Sequence, residues 1–554
     1  MVAGFCALSA GMCFQPATAQ QIPSEEQLDV ELAQAIPSRL LPSEEAKAIA
    51  LEAEQAPEQA DESKNQLAVQ QIVPTALPPL NFTLRDIKFT SSGYLTAEEL
   101  SAVEAQFVGR RMTEAGLAVM VDAINALYRA RNLALAEAIV EAVDPARGLV
   151  SVELFEARLG ATNYTSKNTS NAYLDFRLGL KVGDLADNNR IDERLVRLAI
   201  TDGVLVDAAF NPGAARGLTN LDLTLSEPAP FSGSFGLSNY GPPSKGVVQA
   251  SGTFRVTSLT GWNDPLSLGL TGSQGSISLN GSYGRIVTPD GTRLTSSAGY
   301  SYSKAISGPS IVSHGAFADI GVSMPLVLEQ QKRLYANTNL QIFRDTADLG
   351  GVGIVDQTGW FASAGLSAQY FGDGWQVLTA GSARFGVYDD VIANQAGTIF
   401  ADVSGQLAAS IGLGQDFILS LSSGAQYALL NGMPSRFQFS VTSPFAVRGY
   451  TTDHSSADSG YWSQLQIQRA FPVSGLPENL IVQPYAFVDA GEAFETTSGT
   501  PIGLGAAIST GAGMALQYGS SVSGDVFVAK PLTDITGFTA AGQWSLMGSI
   551  NFRF

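Results

Sequence analysis

A polar loop in the C-terminal half of the chain carries the motif Val447-Arg448-Gly449-Tyr450. An arginine in a loop is usually a solvated surface charge, but its planar guanidinium also binds a carboxylate through two parallel hydrogen bonds. Gly449 permits a tight turn beside the arginine, and Tyr450 can pack at the tip of the loop. The motif therefore predicts capture of a carboxylate, and Asp489 is the candidate.

The candidate carboxylate lies in a segment that alternates like a β-strand and contains the motif Phe487-x-Asp489-x-Gly491. Successive side chains of a strand point to opposite faces, so Tyr485 shares the face of Asp489, whereas the other face is apolar. A carboxylate on the inner wall of a barrel requires a counter-charge, because burial of an unpaired charge is costly. We predict an ion pair between Arg448 and Asp489 inside such a barrel.

The other candidates for chemistry do not form a catalytic or metal site. The two histidines, His314 and His454, lie in polar segments that we interpret as loops. Asp453, His454 and Asp458 are close in sequence and could be interpreted as a metal site. We favour the interpretation that they are solvated loop residues. We expect no catalytic residues, no cofactor and no metal.

Composition favours a large β structure and excludes one class of partner. The 554 residues include 57 glycines and only 15% charged residues. The net charge of −19 argues against a nucleic-acid partner, since few cations are present to neutralise phosphates. Beyond the first residues there is no apolar run of about 18 residues, which argues against transmembrane helices and leaves a transmembrane barrel open.

The first 80 residues are predicted to precede the folded domains. Residues 1–19 are apolar and small and end on an A-x-A-like pattern, which predicts a signal peptide. Both cysteines, Cys6 and Cys13, lie within it, so the mature chain would have no thiol. Residues 20–80 form an acidic linker rich in Ala, Gln and Pro, read either as short helices or as disorder.

Two α+β units with the order βααββ follow, over residues 81–157 and 158–228. In the first, Phe82–Thr90 alternates as a strand, and Thr96 and Thr113 provide caps for two helices. Two further strands complete each unit. Such units offer an exposed sheet edge that accepts an extended client strand by β-augmentation. The alternative is that they are spacers.

Residues 229–554 alternate as strands throughout. The polar face is mostly Ser, Thr, Asn and Gln, as expected for a barrel with lipid outside and a wet lumen, the aqueous interior of the barrel. The length predicts an all-β transmembrane barrel of about 16 antiparallel strands, which encloses a channel. Residues 437–442 are interpreted as one of these strands, because Phe437, Phe439 and Val441 alternate with polar residues.

The final strand alternates most clearly, with an apolar face that includes Phe552 and Phe554. An aromatic residue at the last position resembles the C-terminal signal by which outer-membrane barrels are recognised for insertion. We therefore predict that Phe552 and Phe554 form an assembly signal and that barrel-assembly machinery is a partner during biogenesis.

Together these features resemble the TpsB transporters of two-partner secretion, the ShlB/FhaC/HecB-like hemolysin activation/secretion proteins of the BamA/TamA/TpsB superfamily. The resemblance covers about residues 80–554 and includes residues 230–233 and 239–241 at the entry to the barrel. It rests mainly on the two repeated units, the barrel and the motifs around Arg448 and Asp489.

The resemblance implies two periplasmic POTRA domains and a barrel in the bacterial outer membrane, in contact with lipid. The loop motif would lie at the tip of the sixth extracellular loop, folded back into the lumen, where Arg448 pairs with Asp489. In this family an N-terminal helix plugs the pore, and residues 20–80 are long enough to contain one. The implied partner is a secreted exoprotein of β-helical, hemolysin- or adhesin-like type.

Two other functions remain open at this stage. An assembly factor of the BamA/TamA type, which inserts other barrels, shares the loop motif, but the presence of only two POTRA units favours secretion. A solute porin would not need POTRA domains.

Overall fold

The computed structural model of the protein describes residues 80–430, 432–450, 456–472, 480–497, 500–503, 505–535 and 539–554. The predicted signal peptide and almost all of the linker with its plug helix lie outside the described residues. The described chain divides into two compact units, residues 80–227 and 228–554. Within the described chain, no helix is both long enough and apolar enough to cross a membrane.

The first βααββ domain has a three-stranded sheet in the order β2-β5-β4, with β2 parallel to β5 and β4 antiparallel to it. Thr96 and Glu99 form the predicted capping box at the start of α1, and Thr113 caps α2. Apolar residues of both helices, such as Val103 of α1 and Met120 of α2, pack on the sheet to form the core. The elements are β1 (Phe82–Thr83), β2 (Asp86–Phe89), α1 (Ala97–Phe107), β3 (Arg111–Met112), α2 (Glu114–Ala130), β4 (Ala136–Asp144) and β5 (Leu149–Glu156).

The predicted strand over residues 82–90 is divided into two. β1 pairs with β3, whereas β2 pairs with β5 of the main sheet. Leu84, between them, is fully buried, and its N–H donates to the carbonyl of Arg110 at 3.0 Å. The chain changes partner at this point, which an alternating pattern alone does not reveal.

The second βααββ domain repeats the arrangement, with the sheet order β6-β8-β7 and β6 parallel to β8. An ion pair that the sequence did not indicate lies in its core: Arg177 Nη2 is 3.2 Å from Asp202 Oδ1, and both side chains are buried. Tyr173 Oη donates to Asp202 Oδ2 at 2.6 Å. The elements are β6 (Arg158–Thr165), α3 (Asn171–Leu178), α4 (Asn188–Asp202), β7 (Leu205–Pro212) and β8 (Leu218–Ser226).

Residues 228–554 form a closed antiparallel barrel in which β28 pairs with β9. β22 and β23 together make one strand of the wall, as do β25 and β26, so the wall has sixteen strands. The segments are β9 (Phe231–Ser238), β10 (Gln249–Val256), β11 (Leu266–Ser273), β12 (Ser276–Ile286), β13 (Arg293–Lys304), β14 (Ile311–Leu328), β15 (Lys332–Leu349), β16 (Val352–Gly372), β17 (Trp375–Asp390), β18 (Gln395–Gly414), β19 (Phe417–Ala428), β20 (Phe439–Ser440), β21 (Ser456–Ala457), β22 (Ser459–Arg469), β23 (Phe471–Pro472), β24 (Leu480–Thr497), β25 (Thr500–Gly503), β26 (Ala507–Tyr518), β27 (Val522–Pro531) and β28 (Ser545–Arg553). The predicted fold class, α+β domains followed by a sixteen-stranded barrel, is confirmed.

The outer face of the barrel is apolar, as predicted for a lipid-facing surface. Large side chains such as Ile342, Leu366 and Leu546 are exposed there. At the closing seam, Phe554 N–H donates to Gly233 O at 3.0 Å, and Gly233 N–H donates to Phe554 O at 2.9 Å. Phe552 and Phe554 are themselves exposed on this outer face.

The predicted barrel strand over residues 437–442 is wrong. Residues Ser435–Phe437 form a 3-10 helix, and Phe437 is buried inside the barrel. β20 pairs only with β21, within the connection between β19 and β22. The alternation that suggests a wall strand arises because this connection is itself packed in the lumen, with apolar side chains against the wall.

Candidate functional site

The connection between β19 and β22, residues 429–458, is the longest in the barrel, and we call it the sixth loop. The connection between β9 and β10 is the first at this end of the barrel, and the connection between β19 and β22 is the sixth at the same end. Its motif residues Val447, Arg448 and Tyr450 are buried. The described part of the loop therefore folds into the lumen instead of extending into solvent.

Arg448 and Asp489, which we predict from the sequence to form an ion pair, are in direct contact. Arg448 Nε donates to Asp489 Oδ2 at 2.7 Å, and Arg448 Nη2 donates to Asp489 Oδ1 at 2.8 Å. The backbone N–H of Arg448 also donates to Oδ2 at 3.1 Å. The side chains are 8% and 0% exposed, respectively. This is a forked, nearly dry ion pair that fixes orientation as well as distance.

Two further side chains complete the environment of the guanidinium. Phe487 lies under it, with the ring centroid 3.5 Å from Arg448 Cζ, in a cation–π contact. Gln466 of β22 accepts a hydrogen bond from Arg448 Nη1 at 2.9 Å. The sequence reasoning missed Gln466. The alternation of Gln464, Leu465 and Gln466 indicates only that both amides lie on the lumen face, next to β24.

Gly449 and Tyr450 fix the loop on the wall beyond the arginine. Gly449 has φ +94°, a conformation that L side chains rarely adopt, and a Cβ there would lie 2.9 Å from Ala529 Cβ. Tyr450 Oη donates to Ile508 O at 2.8 Å, and it accepts from Ile508 N–H at 3.0 Å. It also lies 2.8 Å from Thr533 Oγ1. The motif therefore binds β26 as well as β24.

Gly491, the last residue of the strand motif, has a steric role. It pairs with Trp462 across β22 and β24, and a Cβ at this position would lie 2.7 Å from the carbonyl oxygen of Tyr461. A larger residue would force the two wall strands apart beneath the sixth loop, where Trp462 packs against Val447 and Tyr450. Glycine at this position allows the close approach.

The remaining titratable candidates have local roles. Asp453 and His454 lie outside the described residues. Asp458 is not a freely solvated loop residue: its Oδ2 accepts from the N–H groups of Gly432 and Met433 at 2.9 and 3.3 Å. His314 lies in β14 and not in a loop, with Nδ1 2.8 Å from Tyr300 Oη.

Two family models match this chain. One, described as haemolysin secretion/activation protein ShlB/FhaC/HecB, matches residues 217–516, and the other, a POTRA domain of ShlB type, matches residues 82–157. The first match covers more than half of the chain. The chain belongs to the ShlB/FhaC/HecB family. It is accordingly an outer-membrane transporter of two-partner secretion, with its POTRA region in the periplasm.

One curated relative and two solved structures are also similar to this chain over most of its length. The heme/hemopexin transporter protein HuxB of Haemophilus influenzae is 21% identical over 82% of this chain and 84% of its own length. The structure of CdiB from Escherichia coli matches with a TM-score of 0.64 at 18% identity, over 88% of this chain and 93% of that one. CdiB from Acinetobacter baumannii matches with a TM-score of 0.60 at 16% identity, over 94% and 99%. These two likenesses establish the fold.

Proposed function

We propose that this ShlB/FhaC/HecB-family protein recognises one exoprotein, of hemolysin- or adhesin-like β-helical type, and secretes it across the outer membrane. The observation that carries the proposal is the sixth loop, which lies inside a closed sixteen-stranded barrel and is held there by the Arg448–Asp489 pair. A loop fixed in the lumen by a small set of directional polar contacts suits a pore that must be closed at rest and opened for a client.

Recognition would take place on the periplasmic sheets. Among the described residues, β2 and β4 pair only with β5, and β7 pairs only with β8, whereas β6 pairs with β8 and also bridges to Leu185 at its first residue, Arg158. An edge strand presents unpaired N–H and C=O groups, so an extended client gains main-chain hydrogen bonds whatever its sequence. β7 has the most exposed side chains of these edge strands. Sequence-tolerant pairing of this kind suits a long, repetitive client.

The site residues have distinct roles in this proposal. Arg448 and Asp489 hold the sixth loop, while Gly449 and Gly491 provide the close approaches that the contact needs. Phe554 completes the seam between β28 and β9 and is part of the assembly signal, read by barrel-assembly machinery. No nucleotide is available in the periplasm, so folding of the client outside the cell would supply the driving force.

The BamA/TamA-type alternative is not favoured, because the matching family model and the matching POTRA model are both of ShlB type. One experiment separates the two functions. The gene is deleted, and the candidate exoprotein, a large, repetitive β-helical protein of the same cell, is measured in the medium and in the periplasm, together with the amounts of unrelated outer-membrane barrels. Secretion predicts loss of the exoprotein from the medium with normal levels of the other barrels. A general loss of barrels with continued exoprotein release would overturn the proposal.

A further inference from the structure

The first limb of the sixth loop, Ser435–Phe437, binds a different part of the wall from Arg448. Arg436 Nε donates to Asp345 Oδ2 at 2.7 Å, and Arg436 Nη2 donates to Asp345 Oδ1 at 2.8 Å. The two side chains are 5% and 0% exposed. Asp345 belongs to β15, whereas Asp489 belongs to β24. The loop thus makes two forked arginine–aspartate pairs with two separate wall strands.

Phe437 enters an aromatic pocket beside the second pair. Its ring meets Phe343 and Phe361 edge-on, with centroids 5.3 and 5.1 Å away, and stacks on Phe400 at 5.5 Å. Arg384 lies over the same ring, with Cζ 4.5 Å from its centroid. Edge-on rings and a desolvated cation both add to the free energy gained from burial alone. Phe437 is therefore packed as a core side chain, although it belongs to a loop.

Polar groups of this limb also have partners on the wall. Ser435 N–H and Oγ donate to Gln357 Oε1 at 3.3 and 3.2 Å, and Gln357 Nε2 donates to Asp390 Oδ2 at 3.0 Å. Gln426 Nε2 donates to the carbonyl of Phe437 at 2.7 Å. Each of these polar groups has a hydrogen-bond partner on the wall, which indicates that the limb is specifically bound there.

The two bound positions lie far apart on the wall. β16, β17, β18, β19 and β22 lie between β15 and β24 in the closed barrel. Going from β15 to β24 therefore crosses six spacings between neighbouring strands. At ~4.8 Å each, they amount to roughly 29 Å along the wall before strand tilt is included. The loop therefore spans the lumen between its two arginine pairs.

We propose that Arg436 and Phe437, bound to Asp345 and the aromatic pocket, form a second anchor that holds the sixth loop across the lumen, and that this anchor must release for a client to pass. The proposal rests on the secretion function above. The second anchor is the one that releases because, apart from a long hydrogen bond of the Ser435 N–H at 3.3 Å and the bond to the Phe437 carbonyl, it is held by side-chain contacts. The Arg448 end is fixed in addition by its own N–H, which donates to Asp489, and by the Tyr450 hydroxyl, which hydrogen-bonds to Ile508.

The first test measures closure without any client. The purified full chain is inserted into planar lipid bilayers, and ion current is recorded for the unchanged chain and for Asp345→Asn and Arg436→Gln. Removing one partner of a buried ion pair shifts the equilibrium between anchored and released loop by roughly 10²-fold or more. We expect long-lived open currents in both variants. Arg344→Gln is the matched control, because Arg344 is the neighbouring residue on β15 and its pair with Asp356 is exposed.

The second test keeps the ion pair and prevents its release. Ser435 and Gln357, whose side chains meet at 3.2 Å, are replaced by cysteines in a chain whose own Cys6 and Cys13 are changed to alanine. A short, reductant-cleavable thiol cross-linker then joins the loop to β16. We expect exoprotein secretion to stop on cross-linking and to recover on reduction, while each single-cysteine variant secretes the same amount with the reagent as without it.

The outcomes separate the anchor from the proposed function. Normal secretion by the cross-linked chain would overturn the release step, and unchanged currents in Asp345→Asn and Arg436→Gln, with a folded barrel, would overturn the anchor. Open currents in these variants, with no exoprotein secreted even by the unchanged chain, would uphold the anchor and refute the secretion proposal.

Discussion

Breaking the contact between Arg448 and Asp489 is the perturbation with the best-defined consequence. Asp489 is fully buried and accepts three hydrogen bonds from Arg448, so Arg448→Ala leaves a buried carboxylate with a single N–H donor. Removing one partner of a buried pair costs about 3–5 kcal/mol in the stability of the bound loop. The burial of both side chains places this contact among the buried pairs to which that range applies.

The double variant provides the decisive comparison. Because Arg448→Ala and Asp489→Ala remove the same contact, the double variant should lose little more than either single one, with a coupling energy of several kcal/mol. Arg448→Lys keeps the charge but loses the forked geometry and the flat contact with Phe487, so we expect a smaller loss. Arg344→Gln, outside this contact, should behave like the unchanged chain.

The assay is the fraction of exoprotein released into the medium, together with the rate at which added protease cuts the sixth loop in intact cells. The amount of heat-modifiable barrel in the outer membrane controls for assembly. We expect lower release and faster cutting in each single variant at normal barrel levels. Losses that simply add in the double variant would refute the idea that the two side chains act through one contact.

Three further changes have expected outcomes. Deleting residues 82–157 should abolish release while the barrel remains inserted, and retained release would reduce this domain to a spacer. Deleting Phe554 removes two backbone hydrogen bonds at the closing seam and the terminal aromatic, so the amount of heat-modifiable barrel should fall; normal levels would count against an assembly signal. Tyr450→Phe removes the hydrogen bonds of the hydroxyl to Ile508, while Ile508 keeps its bonds to Thr533 Oγ1 and to the Leu532 N–H, so the expected cost is about 0.5–1.5 kcal/mol. Its sixth loop should be cut faster by protease, and an unchanged rate would show that the hydroxyl does not hold the loop.

Much of the architecture could be predicted because it is encoded locally. The capping residues Thr96 and Thr113 fix the starts of two helices within one turn of sequence, and the alternation of β24 fixes which face carries Asp489. The family resemblance then indicated Arg448 as its partner, and the structure places the two in contact. Each of these signals lies within a few residues or within one recognisable motif.

The parts that could not be predicted depend on long-range packing. Phe437 looks like the start of a wall strand, because a loop packed inside a barrel alternates much as the wall does, and Arg436 just before it carries no motif. Their partners on β15 to β18 lie far away in sequence, as Asp345 does, and no local pattern links them. Gln466 shows the same limit, since an amide on the lumen face has no sequence mark that identifies it as a ligand of Arg448.

The most direct test of the central claim uses purified components. The full chain is reconstituted in liposomes with its POTRA side outward, and the unfolded candidate exoprotein is added outside without nucleotide. We predict folded, protease-protected exoprotein inside the liposomes, and none with protein-free liposomes or with the chain lacking residues 82–157. Failure to protect the exoprotein, combined with insertion of an added barrel precursor into the same liposomes, would contradict a secretion pore and favour an assembly factor.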